Sequence, residues 1–393
     1  MVIMESRYAF LEKLIAALGK IQVPLVGFDG TKLIPFLNFD DVGLYIIIPK
    51  MVQFFQISLD QAINIFFYTQ LVVCSVLALT GFLLLFRSIS SIIFTVALFA
   101  MFLRFVYYSV YDVYVEYIGS IFCVVPLFLY FLLKNNTSRL FNYSMIFSGI
   151  VIGFSHYIRS YSALPVLGFV LCMLLLNKQL DLMKKIILMS CLFFGIGLST
   201  FYIKVNVHKY HEYAEQNFVE FDHLQSKHVF WHAVYLGFGF LKIENKDNII
   251  WDDTFAEKKV KEKMPHISLI QTTEYENILK NEVLNLIKYQ RGFFLWTIFS
   301  KLGILFMYLL LFANFGLLAF FSFSRKWDLN LSFLFAFLLS SITPVLALPY
   351  YNYSLSFITF SFIFGLFYIN EFINNSSINV WFKRREKIDE CIS

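Results

Sequence analysis

The sequence has few charged side chains for its length. Of its 393 residues only 15% are charged, whereas 59% are hydrophobic, 20% are aromatic and the mean hydropathy is +0.67. A chain of this composition cannot bury its apolar surface in one water-soluble core. The composition therefore excludes an ordinary soluble protein and indicates an integral membrane protein.

Motifs of the common nucleotide- and cofactor-dependent enzymes are also missing. The sequence contains no Walker A motif, no GxGxxG after a strand, no GxSxG and no set of cysteine metal ligands. Its five cysteines lie in predicted helices or in the tail, so no extracellular disulfide framework is expected. The net charge of +5 comes mostly from predicted inside loops, and we expect no nucleic-acid partner.

Long stretches with almost no charge predict the membrane crossings. A helix needs roughly 20 apolar residues to cross the hydrocarbon core. Stretches of this kind cover 61–86, 88–108, 115–133, 140–158, 161–177, 186–203 and 302–324, and 329–370 is long enough for two more. We therefore predict an all-α polytopic membrane protein with nine crossings.

The positions of lysine and arginine predict the orientation, because short basic loops stay in the cytoplasm. With the N-terminal segment outside, the short outside loops contribute only Arg159. The short inside loops carry Arg87, Lys134, Arg139, Lys178, Lys184, Lys185, Arg325 and Lys326, and the tail "WFKRREK" is basic as well. The outer face is therefore the predicted working face.

This topology divides the chain into five segments. They are an N-terminal segment and first outer loop (1–60), six crossings (61–204), an extracytoplasmic insert (205–291), three crossings (292–373) and a basic cytoplasmic tail (374–393). The first residues have apolar side chains at helical spacing and predict an amphipathic interfacial helix. An odd number of crossings with an outside start predicts a further transmembrane helix before this chain. In the insert, Thr273 and Glu276 form a predicted capping box.

Two adjacent acids, Asp40 and Asp41, directly precede an apolar run in the first outer loop. One interpretation is a turn or helix start, since aspartate favours N-caps. In the other, one carboxylate is a general base or a metal ligand, its pKa raised by partial desolvation and by its like-charged neighbour. A divalent cation is therefore possible, and no metal ligand set can be assigned.

Charges near the outer ends of other crossings are the next candidates. Arg159 is suited to bind phosphate oxygens bidentately, with His156 one turn earlier, although an interfacial arginine can also extend to lipid headgroups. Arg104 is the only charge inside its crossing, where isolation costs roughly 2.5 to 3.5 kcal/mol, so it should face a partner or an aqueous cavity. Asp112 and Glu116 are four residues apart and are that partner or a second acidic site.

Three aromatic residues of the insert are candidates for contact with an acceptor. Trp231, His232 and Tyr235 could stack against a sugar or line a lipid channel. Ordinary packing is the alternative. A zinc site that includes His228 and His232 lacks supporting cysteine or HExxH context.

The stretch "FDDVGLYIIIPKMVQFFQISLDQAINIFFYTQLVVCSVLALTGFLLLFRS" resembles the first outer loop and following helices of GT-C membrane glycosyltransferases. This group includes the dolichyl-phosphate-mannose protein mannosyltransferases and bacterial relatives that use polyprenyl-phosphate sugars. "GIVIGFSHYIRSYSALPVLGF" is similar to the family's glycine-rich helix ending outside in an arginine-containing turn, and "FWHAVYLGFGF", "IIWDDTF" and "TTEYENILKNEV" are similar to its large outer loop. The resemblance covers most of residues 28 to 370.

The resemblance implies a GT-C-like helix bundle that transfers a sugar from a polyprenyl-phosphate carrier to a glycan, lipid or protein. It places the active site on the periplasmic side of a bacterial inner membrane and implies inverting transfer. Asp40 matches the family's first acid and is the expected base, with Asp41 orienting it. Arg159, His156 and Arg104 are the expected contacts of the donor phosphate. A glycolipid transporter or flippase and a glycan polymerase are the alternatives.

Overall fold

The computed structural model describes residues 5–36, 42–110, 112–134, 139–218, 230–265, 272–323 and 326–375. These residues are mostly α-helical, with one short 3-10 helix, one two-stranded hairpin and connecting loops, the longest of which joins Gly237 to Asp253. Seven of the helices are long and apolar enough to cross a membrane. The prediction of an all-α polytopic membrane protein is confirmed by these helices.

The helices and strands follow one another from the N-terminus, and the bounds of each are as follows. They are α1 (Glu5–Ile21), β1 (Val26–Phe28), β2 (Leu33–Pro35), α2 (Val42–Phe55), α3 (Leu59–Leu85), α4 (Ile89–Ser109), a 3-10 helix (Asp112–Tyr114), α5 (Val115–Leu133), α6 (Arg139–Ile158), α7 (Ala163–Leu176), α8 (Leu182–Asn217), α9 (Phe230–Gly237), α10 (Asp253–Lys263), α11 (Thr273–Tyr289), α12 (Arg291–Ala313), α13 (Phe315–Phe323), α14 (Trp327–Leu346) and α15 (Leu355–Asn375).

The candidate spans are α3, α4, α5, α8, α12, α14 and α15, against nine predicted crossings. The predicted crossings 140–158 and 161–177 correspond to α6 and α7, which are not among these seven. α7 has 14 residues and is about 21 Å long, short of the roughly 30 Å hydrocarbon core. The predicted crossing 302–324 is interrupted at Asn314, whose φ of 48° ends α12 before α13 begins.

Two helices, α5 and α15, form the centre of the bundle. Their apolar windows are 89% and 78% buried inside the protein, whereas those of the other five candidate spans are 17% to 33% buried. The outer helices therefore direct most of their apolar surface away from the protein. Such surfaces are the ones that lipid covers.

α6 and α8 pack closely because glycines face each other. A Cβ at Gly149 would lie 2.1 Å from the Leu192 carbonyl oxygen, and one at Gly195 would lie 2.1 Å from that of Ile146. Small residues allow backbones to approach this closely in membrane helices. α8 has 36 residues, about 54 Å, and it continues past residue 204, where the sequence placed the end of a crossing.

The N-terminal helix packs against the protein through one face. Its buried residues are Leu11, Leu14, Ala17 and Leu18. Phe10 contacts Phe36 and Tyr45, with ring centroids 5.4 and 5.6 Å apart. The Tyr210 hydroxyl donates to the Phe36 carbonyl at 2.8 Å, which ties the hairpin to α8. These contacts hold α1 and the hairpin against α2.

The insert has a core of its own, formed by α9, α10 and α11. α11 begins after Thr272, whose side chain accepts from the Tyr275 amide at 3.3 Å, so the predicted N-cap at Thr273 is wrong by one residue. Glu276 does not complete a capping box on α11. Its carboxylate accepts instead from the Trp231 and His232 amides at 2.7 and 3.1 Å, at the start of α9.

A buried lysine connects the insert to the bundle. Lys301 of α12 is fully buried, and its Nζ donates to the carbonyls of Val345 and Ala347 at 3.1 and 2.8 Å. These carbonyls lie at the end of α14, where a positive charge is favoured by the helix macrodipole. The same Nζ lies 5.5 Å from the ring centroid of Phe238 in the insert.

We expect Lys301→Met to lower the free energy of unfolding by about 3 kcal/mol, because the buried carbonyls at the end of α14 lose their hydrogen-bond donor. The measurement is denaturant unfolding of the purified protein in detergent. Lys288→Met, at an exposed position of α11, is the matched control and should change stability by less than about 0.5 kcal/mol. Equal stability of the two variants would show that Lys301 does not hold this junction.

Candidate functional site

Arg159 occupies the turn between α6 and α7. Its amide donates to the Ser155 carbonyl at 2.9 Å, and its own carbonyl accepts from the Ser162 amide at 3.1 Å. Tyr161 adopts a φ of 67°, a conformation that bulky residues seldom take, and this closes the turn. The local backbone therefore fixes where the arginine side chain begins.

Two tyrosine rings from distant parts of the chain hold the Arg159 guanidinium. Its Cζ lies 4.8 Å from the ring centroid of Tyr114 in the 3-10 helix and 5.8 Å from that of Tyr353 in the loop between α14 and α15. Aromatic faces attract a guanidinium in this arrangement. Burial raises the pKa of Tyr114, so this phenol is neutral at physiological pH. The arginine is thus positioned by the protein.

The start of α2 packs directly on the Arg159 turn. A Cβ at Gly43 would lie 2.8 Å from the Tyr157 carbonyl oxygen and 3.2 Å from the Ile158 nitrogen, so only glycine permits this approach. Asp40 and Asp41 precede α2 in the sequence and lie outside the described residues. Asp112 begins the 3-10 helix, and its side chain is likewise outside the description.

Glu116 is buried in the first turn of α5, close to the end of α6. Its carboxylate accepts from Gln70 Nε2 of α3 and from Ser155 Oγ of α6. Charged groups are rarely fully buried without partners, and these two donors satisfy both carboxylate oxygens. Gln70 Oε1 is buried and has no hydrogen-bond partner among the described residues.

An apolar cavity of about 500 Å³ lies beside Glu116 and Gln70. Its walls come from α2, α3, α5, α6 and α8 and include Ile47, Met51, Phe66, Val151 and Phe154. Ile65 of α3 and Tyr202 of α8 line the cavity and are also exposed, with 47% and 39% of their surface accessible. The cavity therefore opens between α3 and α8 on the apolar outer surface of the bundle.

Lys50 of α2 lies at this opening. Its Nζ donates to Asn206 Oδ1 at 2.5 Å and to the Tyr202 hydroxyl at 3.4 Å. Burial, and secondarily the charge of Lys209, lowers the pKa of Lys50. The hydrogen-bond partners of Lys50 are neutral and a second cation, Lys209, lies close enough to act on it, so an anion is favoured at this position.

The remaining predicted donor contacts, Arg104 and His156, are exposed. Arg104 is exposed on α4, with its guanidinium 6.0 Å from the Tyr108 ring centroid. Arg104 does not pair with Glu116, whose carboxylate accepts from Gln70 and Ser155, and the side chain of Asp112, its other predicted partner, lies outside the description. His156 is exposed, and its ring contacts that of Tyr157.

The predicted acceptor residues lie in the core of the insert. His232 Nδ1 is 2.7 Å from the Tyr275 hydroxyl, and its Nε2 is 3.1 Å from Asp253 Oδ1. Tyr235 is buried and stacks on Phe255, while Trp231 is half-buried beneath Lys280. In these positions the three side chains join α9 to α10 and α11. Within the described ranges, no group of three or more histidine, cysteine or acidic residues could hold a metal ion.

No family model, curated protein or solved structure matches this chain.

Sequence reasoning missed Lys50, Gln70 and Tyr353. Lys50 carried a usable signal, because it is the only charge in the apolar helix α2. Gln70 and Tyr353 carried none. Gln70 lies in the middle of α3 and Tyr353 in the loop before α15, and only the fold brings them to Glu116 and Arg159.

Proposed function

We propose that this protein is a GT-C-like glycosyltransferase that moves a sugar from a polyprenyl-phosphate carrier to a glycan, lipid or protein acceptor. It acts on the outer side of a bacterial inner membrane. The observation that carries the proposal is the contact of Gly43 with Tyr157. This contact brings the helix that follows the Asp40–Asp41 pair against the turn that carries Arg159.

The chemistry requires a base and a cation on the two sides of the sugar. Asp40 takes the proton of the acceptor hydroxyl while that oxygen forms a bond to the anomeric carbon. The bond between the anomeric carbon and the phosphate oxygen breaks, and its electron pair leaves with the polyprenyl phosphate. Arg159 stabilises the charge that grows on the phosphate, and direct displacement inverts the anomeric configuration.

The apolar cavity supports a lipid-linked donor. It opens on the membrane-facing surface between α3 and α8, so an isoprenoid chain can enter from the bilayer without crossing water. Lys50 and Lys209 add positive charge at this opening, where an anionic headgroup would pass.

The glycan of a deletion strain distinguishes this function from its two alternatives. Loss of one sugar decoration from an otherwise complete glycan is the expected result. Short, unpolymerised chains would indicate a glycan polymerase. Accumulation of the lipid-linked precursor on the inner side would indicate a flippase.

Gly43→Val should lower sugar transfer by about 10²-fold, because the added side chain displaces the start of α2 from the Arg159 turn and small misplacements of reacting groups cost this much. Transfer is measured with protein reconstituted in lipid nanodiscs. The control is Gly303→Val in α12, where a Cβ would meet no atom within 4 Å. Unchanged transfer in Gly43→Val would show that the contact between α2 and the end of α6 does not position the reacting groups.

A further inference from the structure

The insert contains a second cavity, separate from the Arg159 cluster. The loop between α9 and α10 encloses about 620 Å³, large enough for more than one sugar unit. The loop runs from Gly239 to Trp251, and the lining includes Phe240, Lys242, Glu244 and Asn248. None of these residues takes part in the chemistry described above.

Contacts within the loop and with Gln290 bring its two ends together. A Cβ at Gly239 would lie 2.5 Å from the Ile250 carbonyl carbon, so the two ends of the loop touch. Asn245 Oδ1 accepts from the Ile249 amide at 3.0 Å, and Gln290 Oε1 of the α11–α12 junction accepts from the Lys246 amide at 3.3 Å. A compact loop with its ends together is a frequent carrier of function.

The lining has the chemistry of a site for a neutral sugar. Trp251 has 39% of its surface exposed, and its ring stands at 88° to that of Phe240 with centroids 6.4 Å apart. An indole face packs against the C–H face of a pyranose ring. Lys242, Glu244 and Asn248 are exposed around it and offer both donors and acceptors for hydroxyl groups.

A peptide fits this loop less well. One common mode of peptide binding adds a strand to an exposed sheet edge, and the described residues of the insert contain no β-strand that could accept one. Opposite charges on Lys242 and Glu244 also give no preference for a strongly acidic or basic segment.

We propose that the Gly239–Trp251 loop binds short oligosaccharides, with Trp251 as the stacking platform. The loop begins beside Phe238, whose ring packs on Lys301 at the junction with the bundle, so a bound glycan is held next to the membrane domain. The identification of this glycan as the acceptor rests on the proposed function. The binding of a glycan by the loop does not depend on that function.

Binding is tested with full-length protein in nanodiscs on an array of short oligosaccharides from bacterial surface polysaccharides, followed by calorimetry with the strongest binder. Trp251→Ala should raise the dissociation constant roughly tenfold, and Trp251→Phe should retain part of the wild-type affinity. Trp296→Ala, at an exposed tryptophan of α12 outside the loop, should bind as the wild type does. Thermal melting of each variant confirms folding.

The outcomes separate this proposal from the proposed function. Glycan binding that depends on Trp251 supports the loop site even if no sugar is ever transferred. Binding of no oligosaccharide by the wild type, equal binding by Trp251→Ala, or selection of peptides over glycans on a mixed array would overturn it. If transfer occurs and is unaffected by Trp251→Ala at low acceptor concentration, the glycan is not the acceptor.

Discussion

Asp40→Asn should lower the rate of sugar transfer by about 10²- to 10⁴-fold, the usual contribution of a positioned general base. The amide keeps the size of the side chain and cannot take the acceptor proton. Donor binding should change little, because the phosphate is held elsewhere. The measurement is single-turnover transfer in nanodiscs together with the dissociation constant of the donor.

Asp60→Asn is the matched control for this substitution. Asp60 is an exposed acid in the first turn of α3, and its change to asparagine should leave transfer near the wild-type rate. If Asp41 orients the base, the transfer rate of Asp41→Asn should lie between those of Asp40→Asn and Asp60→Asn. Wild-type rates in Asp40→Asn would assign the base to another residue.

Arg159→Ala should lower transfer by about 10²- to 10³-fold, since a donor aimed at a developing negative charge contributes this much. The guanidinium acts on the leaving phosphate, so the substitution should lower both the affinity for polyprenyl phosphate and the rate of the chemical step. Arg159→Lys should recover only part of the loss, because an ammonium cannot bind two phosphate oxygens bidentately. Product-inhibition constants for polyprenyl phosphate report the binding part.

Arg139, at the opposite end of α6, provides the control for a lost arginine on the same helix. Tyr353→Leu removes one of the two rings that hold the guanidinium and should give an intermediate loss, whereas Tyr353→Phe keeps the ring and should remain close to wild type. Equal effects of Arg159→Ala and Arg139→Ala would mean that Arg159 has no specific role at the phosphate.

The sequence predicted where helices form but could not predict which of them lie at the centre. α4 and α5 are both strongly apolar, yet 28% of the most apolar stretch of α4 and 89% of that of α5 are buried inside the protein. The reason is physical, because lipid and protein interior are both apolar and select the same residues. Arrangement in the bundle depends on which helices can approach closely, as Gly149 and Gly195 show for α6 and α8.

The charged residues of the candidate site could be predicted from the sequence. Their uncharged partners could not, because they are distant in the sequence. Arg159 and Glu116 stood out as charges at the ends of apolar stretches. Their partners Tyr353 and Gln70 are ordinary polar residues that the fold supplies from other helices and loops. The position of Arg104 in its helix likewise contains no information on which face of α4 is covered, and the structure leaves its side chain exposed.

The most direct measurement is transfer by the purified protein. Wild-type protein and Asp40→Asn, each reconstituted in nanodiscs, are incubated with a panel of polyprenyl-phosphate-linked sugars and with envelope glycans as acceptors. The proposed function predicts release of polyprenyl phosphate together with a glycosylated acceptor by the wild type, and loss of both products in Asp40→Asn. Failure of the wild type to bind or consume any polyprenyl-phosphate sugar, with an unchanged glycan in cells carrying Asp40→Asn, would contradict it.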